Sequence, residues 1–145
     1  MMVAKFIIHG EPQGKGRPRF SRVSGRAYTP EKTASYENLV KIEYINQCKD
    51  CKFENGTELV MAITAYYGIP DSKPKKQKQL MRDGVVRPTK KPDMDNIIKI
   101  IADSLNKIAY YDDSQIVEAT IKKYYSDEPR VVVTISELQK STVAV

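Results

Sequence analysis

Four segments of the chain are rich in the β-branched and aromatic residues that favour strands. They are residues 3–8 (VAKFII), 58–67 (ELVMAITAYY), 115–125 (QIVEATIKKYY) and 130–138 (RVVVTISEL). The turn residues SDEP lie between the last two segments, so these two are predicted to form a hairpin.

Two longer segments place apolar residues at the spacing of a helix face. Residues 31–47 follow Thr29 and Pro30, a helix start signal, and carry Tyr36, Leu39, Val40 and Ile42. Residues 95–107 are the second predicted helix, and Ile97, Ile101 and Leu105 form an apolar stripe along it. Ile108 continues this stripe, and Ile98 and Ala102 widen it. Residues 71–92 hold much lysine and few apolar groups, and we expect a loop there with at most one exposed helical turn.

Four strands and two or three helices that do not alternate strictly predict an α+β fold, a mixed β-sheet of about four strands packed against the helices. With 145 residues the chain is expected to form one domain, residues 1–145. No apolar stretch approaches the ~20 residues that span a bilayer. The start, MMVAKFIIHG, lacks a basic leader and a cleavage site, so we expect a cytoplasmic protein with no membrane partner.

The net charge of +6 is unevenly distributed. Residues 15–26 contain Lys15, Arg17, Arg19, Arg22 and Arg26 without an acid. Residues 73–91 contain eight basic residues, among them Lys75, Lys76, Lys90 and Lys91, against Asp83 alone. One such cluster is usually a solvated loop, but two favour a nucleic-acid partner.

Two further motifs do not carry chemistry of their own. GEPQGKG (10–16) resembles a phosphate-binding loop, but it is one residue too short between glycines, and Gly16 stands where Ser or Thr would hold magnesium. Cys48 and Cys51 have the spacing of a zinc or redox pair, yet His9 is the only other soft ligand. We expect two reduced, partly buried thiols.

The motif KPDMDN (91–96) places two acids at the start of the second helix. One interpretation is structural, with Asp95 or Asn96 as the N-cap and Asp93 favoured by the helix dipole. Two acids exceed what a cap needs, however, and if both are extended Asp93 and Asp95 point to the same side. Paired carboxylates of this kind form a site for magnesium or manganese.

A third acid is available in YYDDSQ (110–115), where Asp112 and Asp113 either form a turn or complete a metal site. The second interpretation requires residues 108–113 to run back alongside the helix. If they do not, the third ligand must come from elsewhere or from a partner chain. Lys99, four residues after Asp95, fits equally a surface ion pair with that acid and a cation at a scissile phosphate.

Residues 91–117, KPDMDNIIKIIADSLNKIAYYDDSQIV, resemble the RusA-type Holliday junction resolvases, a family often carried by prophages. The shared pattern is D-x-D-N, a helix with a lysine four residues after the second acid, and then an aromatic residue followed by D-D. The resemblance implies that Asp93, Asp95 and Asp113 bind Mg²⁺, with Mn²⁺ as an alternative, and that Lys99 is essential. It also implies a homodimer that resolves four-way DNA junctions by paired symmetric nicks in recombination and repair.

Two other functions remain open at this stage. The first is a non-catalytic, architectural DNA-binding protein whose acids only cap a helix. The second is a metal-dependent nuclease that acts on flaps or single strands.

Overall fold

The computed structural model describes residues 2–17, 19–28 and 30–140. In chain order its elements are β1 (Val3–His9), β2 (Arg19–Phe20), β3 (Ala27–Tyr28), α1 (Glu31–Cys48), β4 (Leu59–Gly68), α2 (Lys75–Arg82), α3 (Met94–Ser104), a 3-10 turn (Asp113–Gln115), β5 (Ile116–Ser126) and β6 (Arg130–Glu137). The four long strands form one sheet in the order β1-β6-β4-β5. β6 is antiparallel to both neighbours and β4 is parallel to β5, so the predicted α+β fold with a mixed sheet is confirmed.

The predicted hairpin between the last two strands is wrong. β5 and β6 are joined by a short turn, but β4 lies between them and pairs with both. A split pair of this kind and a true hairpin have the same local sequence pattern. The structure has the split pair because β4, whose alternate residues are all buried, takes a central position in the sheet.

One face of the sheet is buried beneath α1 and α3. The strand side chains that fill this core include Phe6, Ile8, Met61, Ile63, Val131 and Val133. The helices contribute Tyr36, Val40, Tyr44, Ile97, Ile100 and Ile101. We call the opposite face of the sheet the open face, and helix α2 contacts the edge strand β5.

Helix α1 has nearly the predicted bounds but presents a different face to the core. Tyr36, Val40 and Tyr44, spaced by four residues, are buried. Leu39 and Ile42, which were predicted on the same stripe, are exposed, because the helical turn carries them to the solvent side. Thr29 of the predicted start signal lies outside the described residues, and Pro30 is the N-cap.

Helix α3 is shorter than predicted. Ile97 and Ile101 are buried as expected, but the helix ends at Ser104, and Lys107 has a positive φ of 69° that turns the chain away. In the lysine-rich segment the structure has α2, a helix of eight residues rather than a single turn, because Met81 is buried against the rest of the fold. Within the described residues, no helix has the length and apolar character needed to cross a membrane.

Candidate active site

The loop after β1 is held between the first turns of two helices. The Lys15 N–H donates to the Asn96 carbonyl of α3 at 3.2 Å, and the Gly16 N–H donates to the Thr33 hydroxyl of α1 at 3.1 Å. A Cβ on Gly14 would lie 3.0 Å from the Asn96 Cβ, and one on Gly16 would lie 2.5 Å from the Thr33 Oγ1. Close packing therefore explains Gly14 and Gly16, whereas Gly10 has a positive φ of 110°, which favours glycine.

Lys15 points inward and binds two acids. Its ammonium lies 3.1 Å from Glu37 of α1 and 3.3 Å from Asp103 of α3, with only 22% of the side chain exposed. Burial lowers the pKa of Lys15, but the hydrogen bonds and charges of the two carboxylates raise it by more. The charge of this residue, predicted to contact DNA, is thus already neutralised within the fold.

A cavity of about 430 Å³ lies beside this loop, at the start of α3, and we call it the acid cavity. Asp93 lines it and is the N-cap of α3, yet its side chain makes no capping hydrogen bond. A capping hydrogen bond therefore does not account for the Asp93 carboxylate, although the helix dipole favours a negative charge at this position. Lys90 and Lys91 line the same cavity and supply positive charge beside Asp93.

Tyr67 forms part of the cavity wall, and its hydroxyl donates to the Pro92 carbonyl at 2.7 Å. Burial, together with the negative charges of Asp93 and Glu11, raises the pKa of Tyr67 to about 12. Nearby Lys123 donates from its ammonium to the Lys90 carbonyl at 2.7 Å. Burial lowers the pKa of Lys123, and the charge of Asp93 opposes that shift.

The sequence analysis missed Glu11, the second acid of the cavity. One of its carboxylate oxygens accepts from the Gly68 N–H at 2.9 Å, and this bond fixes the loop to the end of β4. The available signal was an acid directly after a strand in GEP, but that signal is common in turns.

Asp93 and Asp95 differ in backbone conformation. Asp93 has the extended conformation expected before a helix, whereas Asp95 is already in the first turn of α3. The condition under which alternation along an extended chain would turn both side chains to the same side is therefore not met. Both acids still lie at the start of the same helix, where its dipole favours negative charge.

Asp113 lies beyond the other end of α3. Its N–H donates to the Asn106 side chain at 3.1 Å, and buried Tyr110 holds the intervening turn by donating to the Ala102 carbonyl at 2.6 Å. Residues 108–113 therefore do not run back to the start of the helix, whose 11 residues span about 16 Å. Among the described residues, no group of three or more His, Cys, Asp and Glu side chains is placed to hold a metal ion.

The two acids of the later pair have different surroundings. The Asp112 side chain caps the 3-10 turn and accepts from the Ser114 hydroxyl and N–H, which lowers the pKa of Asp112. Asp113 makes no recorded side-chain bond within the described chain. Lys99 is exposed, and the structure shows no ion pair between it and Asp95, the partner that a structural role would require.

A second cavity, of about 350 Å³, adjoins the first across Gln13 and Gly14, which line both. Arg17, Arg19 and Lys32 line this basic cavity, and no acid does. The other predicted DNA contacts are exposed at separate places on the surface, Arg22 and Arg26 in and after the turn between β2 and β3, and Lys75 and Lys76 at the start of α2. The structure thus brings Lys90 and Lys91 to the acid cavity and Arg17 and Arg19 next to it.

The two cysteines are half-buried free thiols, as expected. The Cys48 thiol donates to the Lys5 carbonyl at 3.5 Å. Burial and the neighbouring Cys51 raise the pKa of Cys48.

A family model and two known proteins match most of this chain. The model of the family described as Endodeoxyribonuclease RusA matches residues 9–136. An uncharacterized protein of Bacillus subtilis, YqaN, is 38% identical over 138 residues, which is 92% of this chain and 96% of that protein. A crossover junction endodeoxyribonuclease of Lactococcus phage r1t is 27% identical over 136 residues, again 92% and 96% of the two chains. A family match over this much of the chain, together with acids at the start of α3, shows that the protein belongs to the RusA endodeoxyribonuclease family.

Proposed function

We propose that the protein is a magnesium-dependent endodeoxyribonuclease that resolves four-way DNA junctions by paired symmetric nicks in recombination and repair. The observation that carries the proposal is the family match over residues 9–136, which includes Asp93 in the acid cavity. The basic residues around this cavity suit a phosphodiester substrate. We propose that the protein acts in the cytoplasm of a bacterial cell, on DNA of the host or of a resident prophage.

Within the described residues, the carboxylates of one chain do not form a complete metal site. Hard divalent cations such as Mg²⁺ take several oxygen ligands, and the acids at this end of the chain are Asp93 and Asp95 at the start of α3 and Glu11 in the acid cavity. When bound, such a cation activates water and offsets negative charge at a phosphodiester. Asp113 of the same chain is about a helix length away, so we propose that a second copy supplies it in a homodimer.

A homodimer also suits the substrate. A four-way junction offers two equivalent strands for cleavage, and two-fold symmetry presents two equivalent sites. Arg17, Arg19, Lys90 and Lys91 lie beside the acid cavity and would bind the phosphates that flank the scissile bond.

The experiment is incubation of the protein with labelled junction, flap and linear duplex, with and without Mg²⁺. We expect magnesium-dependent nicks in the junction alone. Asp93→Asn should remove cleavage, with a loss of at least about a hundredfold, and leave junction binding intact. Preferential cleavage of flaps or single strands would favour the other nuclease function. Junction binding by the unaltered protein without cleavage in any divalent metal would favour the architectural protein.

Mixing two inactive variants tests whether the site is shared between chains. In a heterodimer of Asp93→Asn and Asp113→Asn, a shared arrangement gives one site without either acid and one site with both. We therefore expect the mixture to regain cleavage of one strand, while each variant alone stays inactive. No recovery, with heterodimer formation verified by mass, would contradict a shared site.

A further inference from the structure

Four side chains form a continuous stack on the open face, at the end of the sheet where β4 and β5 finish. The rings of Tyr66 and Tyr124 are stacked with centroids 6.0 Å apart and planes 28° apart. The Arg130 guanidinium lies 4.0 Å from the centroid of Tyr66, and that of Arg87 lies 4.1 Å from the centroid of Tyr124. We call these four residues the Arg-Tyr stack.

The stack holds Arg87 in place without neutralising it. The Arg87 Nε donates to the Lys123 carbonyl at 2.8 Å, so the guanidinium is fixed on one edge and on one face. Its terminal nitrogens have no recorded partner in the described chain. Arg82, five residues earlier, differs in this respect, because its Nε lies 2.8 Å from the carboxylate of Asp127.

The rest of the open face is also basic. It carries Lys5 and Lys122, and its acid among the described strands, Glu118, lies at the opposite end of β5. A shallow groove of about 440 Å³ crosses this face between Lys5 and Arg130. Two copies joined through this face would bring like charges together, whereas a polyanion is complementary to it.

The Arg-Tyr stack and the acid cavity lie on opposite faces at the same end of the sheet. Tyr66 belongs to the stack and its neighbour Tyr67 to the cavity wall, because successive strand residues point to opposite faces. A branched DNA has arms that diverge from one point, so one arm can follow the open face while the cleaved strand enters the cavity.

We propose that the open face is a second DNA-binding surface, on which Arg87 and Arg130 contact backbone phosphates of a junction arm. The tyrosines act as positioning residues, since a guanidinium that is already fixed loses less freedom on binding a phosphate. This inference rests on the proposed function, because it takes branched DNA as the substrate.

The test measures binding of a labelled four-way junction in EDTA, where cleavage plays no part. Arg87→Gln should raise the Kd about three- to tenfold near 0.1 M salt. It should also reduce the slope of log K against log salt by about 0.9, the value for one lost phosphate contact. Arg82→Gln is the matched control, and its slope should equal that of the unaltered protein because Arg82 already has an acid partner.

Tyr124 tests the positioning role. Tyr124→Phe retains the ring and should bind the junction as the unaltered protein does. Tyr124→Leu should weaken binding as Arg87→Gln does, with no further loss when the two changes are combined, since they remove the same contact. Thermal unfolding of every variant verifies that the fold is retained.

Equal salt slopes for Arg87→Gln and Arg82→Gln would overturn the inference. The experiment distinguishes failure of this inference from failure of the proposed function. Magnesium-dependent cleavage by the unaltered protein with equal slopes would refute the second surface alone. Arg87-dependent junction binding without any cleavage would support the surface and refute the nuclease.

Discussion

Removal of the Lys15 charge distinguishes a residue that stabilises the fold from one that contacts DNA. The ammonium joins the loop after β1 to both helices, with Glu37 at 3.1 Å and Asp103 at 3.3 Å. Lys15→Met keeps most of the side-chain stem and leaves these two carboxylates facing each other without a cation. Their side chains are only 17% and 31% exposed, so water compensates the loss incompletely.

The expected cost lies between those of exposed and buried ion pairs. Exposed pairs contribute ~0–1 kcal/mol, whereas breaking a buried pair costs ~3–5 kcal/mol. For a partly buried group with two partners we expect a loss of about 2 kcal/mol in the free energy of unfolding. In a chain of this size the loss corresponds to a fall in Tm of about 6 °C.

The assay is urea unfolding followed by circular dichroism, with thermal unfolding alongside. Arg17→Met is the matched control, because Arg17 lies in the same loop, is exposed and has no acid partner in the described chain. The free energy of unfolding of the Arg17→Met protein should stay within about 0.5 kcal/mol of that of the unaltered protein. Replacing Glu37 and Asp103 by their amides in the Lys15→Met protein should restore part of the loss, since the repulsion is then removed.

A Lys15→Met protein as stable as the Arg17→Met protein would refute this reasoning. If its junction binding also showed a smaller salt slope, Lys15 would have to be a DNA contact, as the basic cluster of the sequence suggested.

Three other outcomes follow from the structure. Lys99→Met should leave folding and junction affinity unchanged but lower single-turnover cleavage at least about a hundredfold, whereas a two- to threefold loss would make Lys99 an ordinary surface residue. Gly16→Ala should cost about 1–3 kcal/mol in urea unfolding, because buried Thr33 cannot move away from a Cβ, and an unchanged midpoint would contradict that packing. Burial raises the pKa values of Tyr36, Tyr44, Tyr67 and Tyr110, that of Tyr67 to about 12, so the unfolded chain, with tyrosines near 10, releases these protons first. Stability should therefore be complete below about pH 10 and fall as the pH rises toward 12, and Tyr67→Phe should weaken that dependence.

Local sequence patterns determined the type of most elements. The strand and helix segments were predictable because β-branched runs and helical spacing of apolar residues act within a few neighbouring residues. The motifs D-x-D-N and D-D, with Lys99 between them, were also sufficient to indicate the family. These signals do not depend on which parts of the chain meet later.

Tertiary structure decided what pairs with what. The sequence around SDEP favoured a hairpin, but the most buried strand, β4, took the place between β5 and β6. α3 ended early, at a turn fixed by buried Tyr110, and this separated Asp113 from Asp93.

Tertiary structure also decided which basic side chains have acidic partners. Lys15 and Arg17 belong to one basic run, yet the first is enclosed by acids from two distant helices and the second is exposed. Arg82 and Arg87 likewise differ only through Asp127 and Tyr124, which lie more than thirty residues away in sequence. Whether a cation is free to bind DNA depends on partners that the fold brings together, and a run of basic residues does not contain that information.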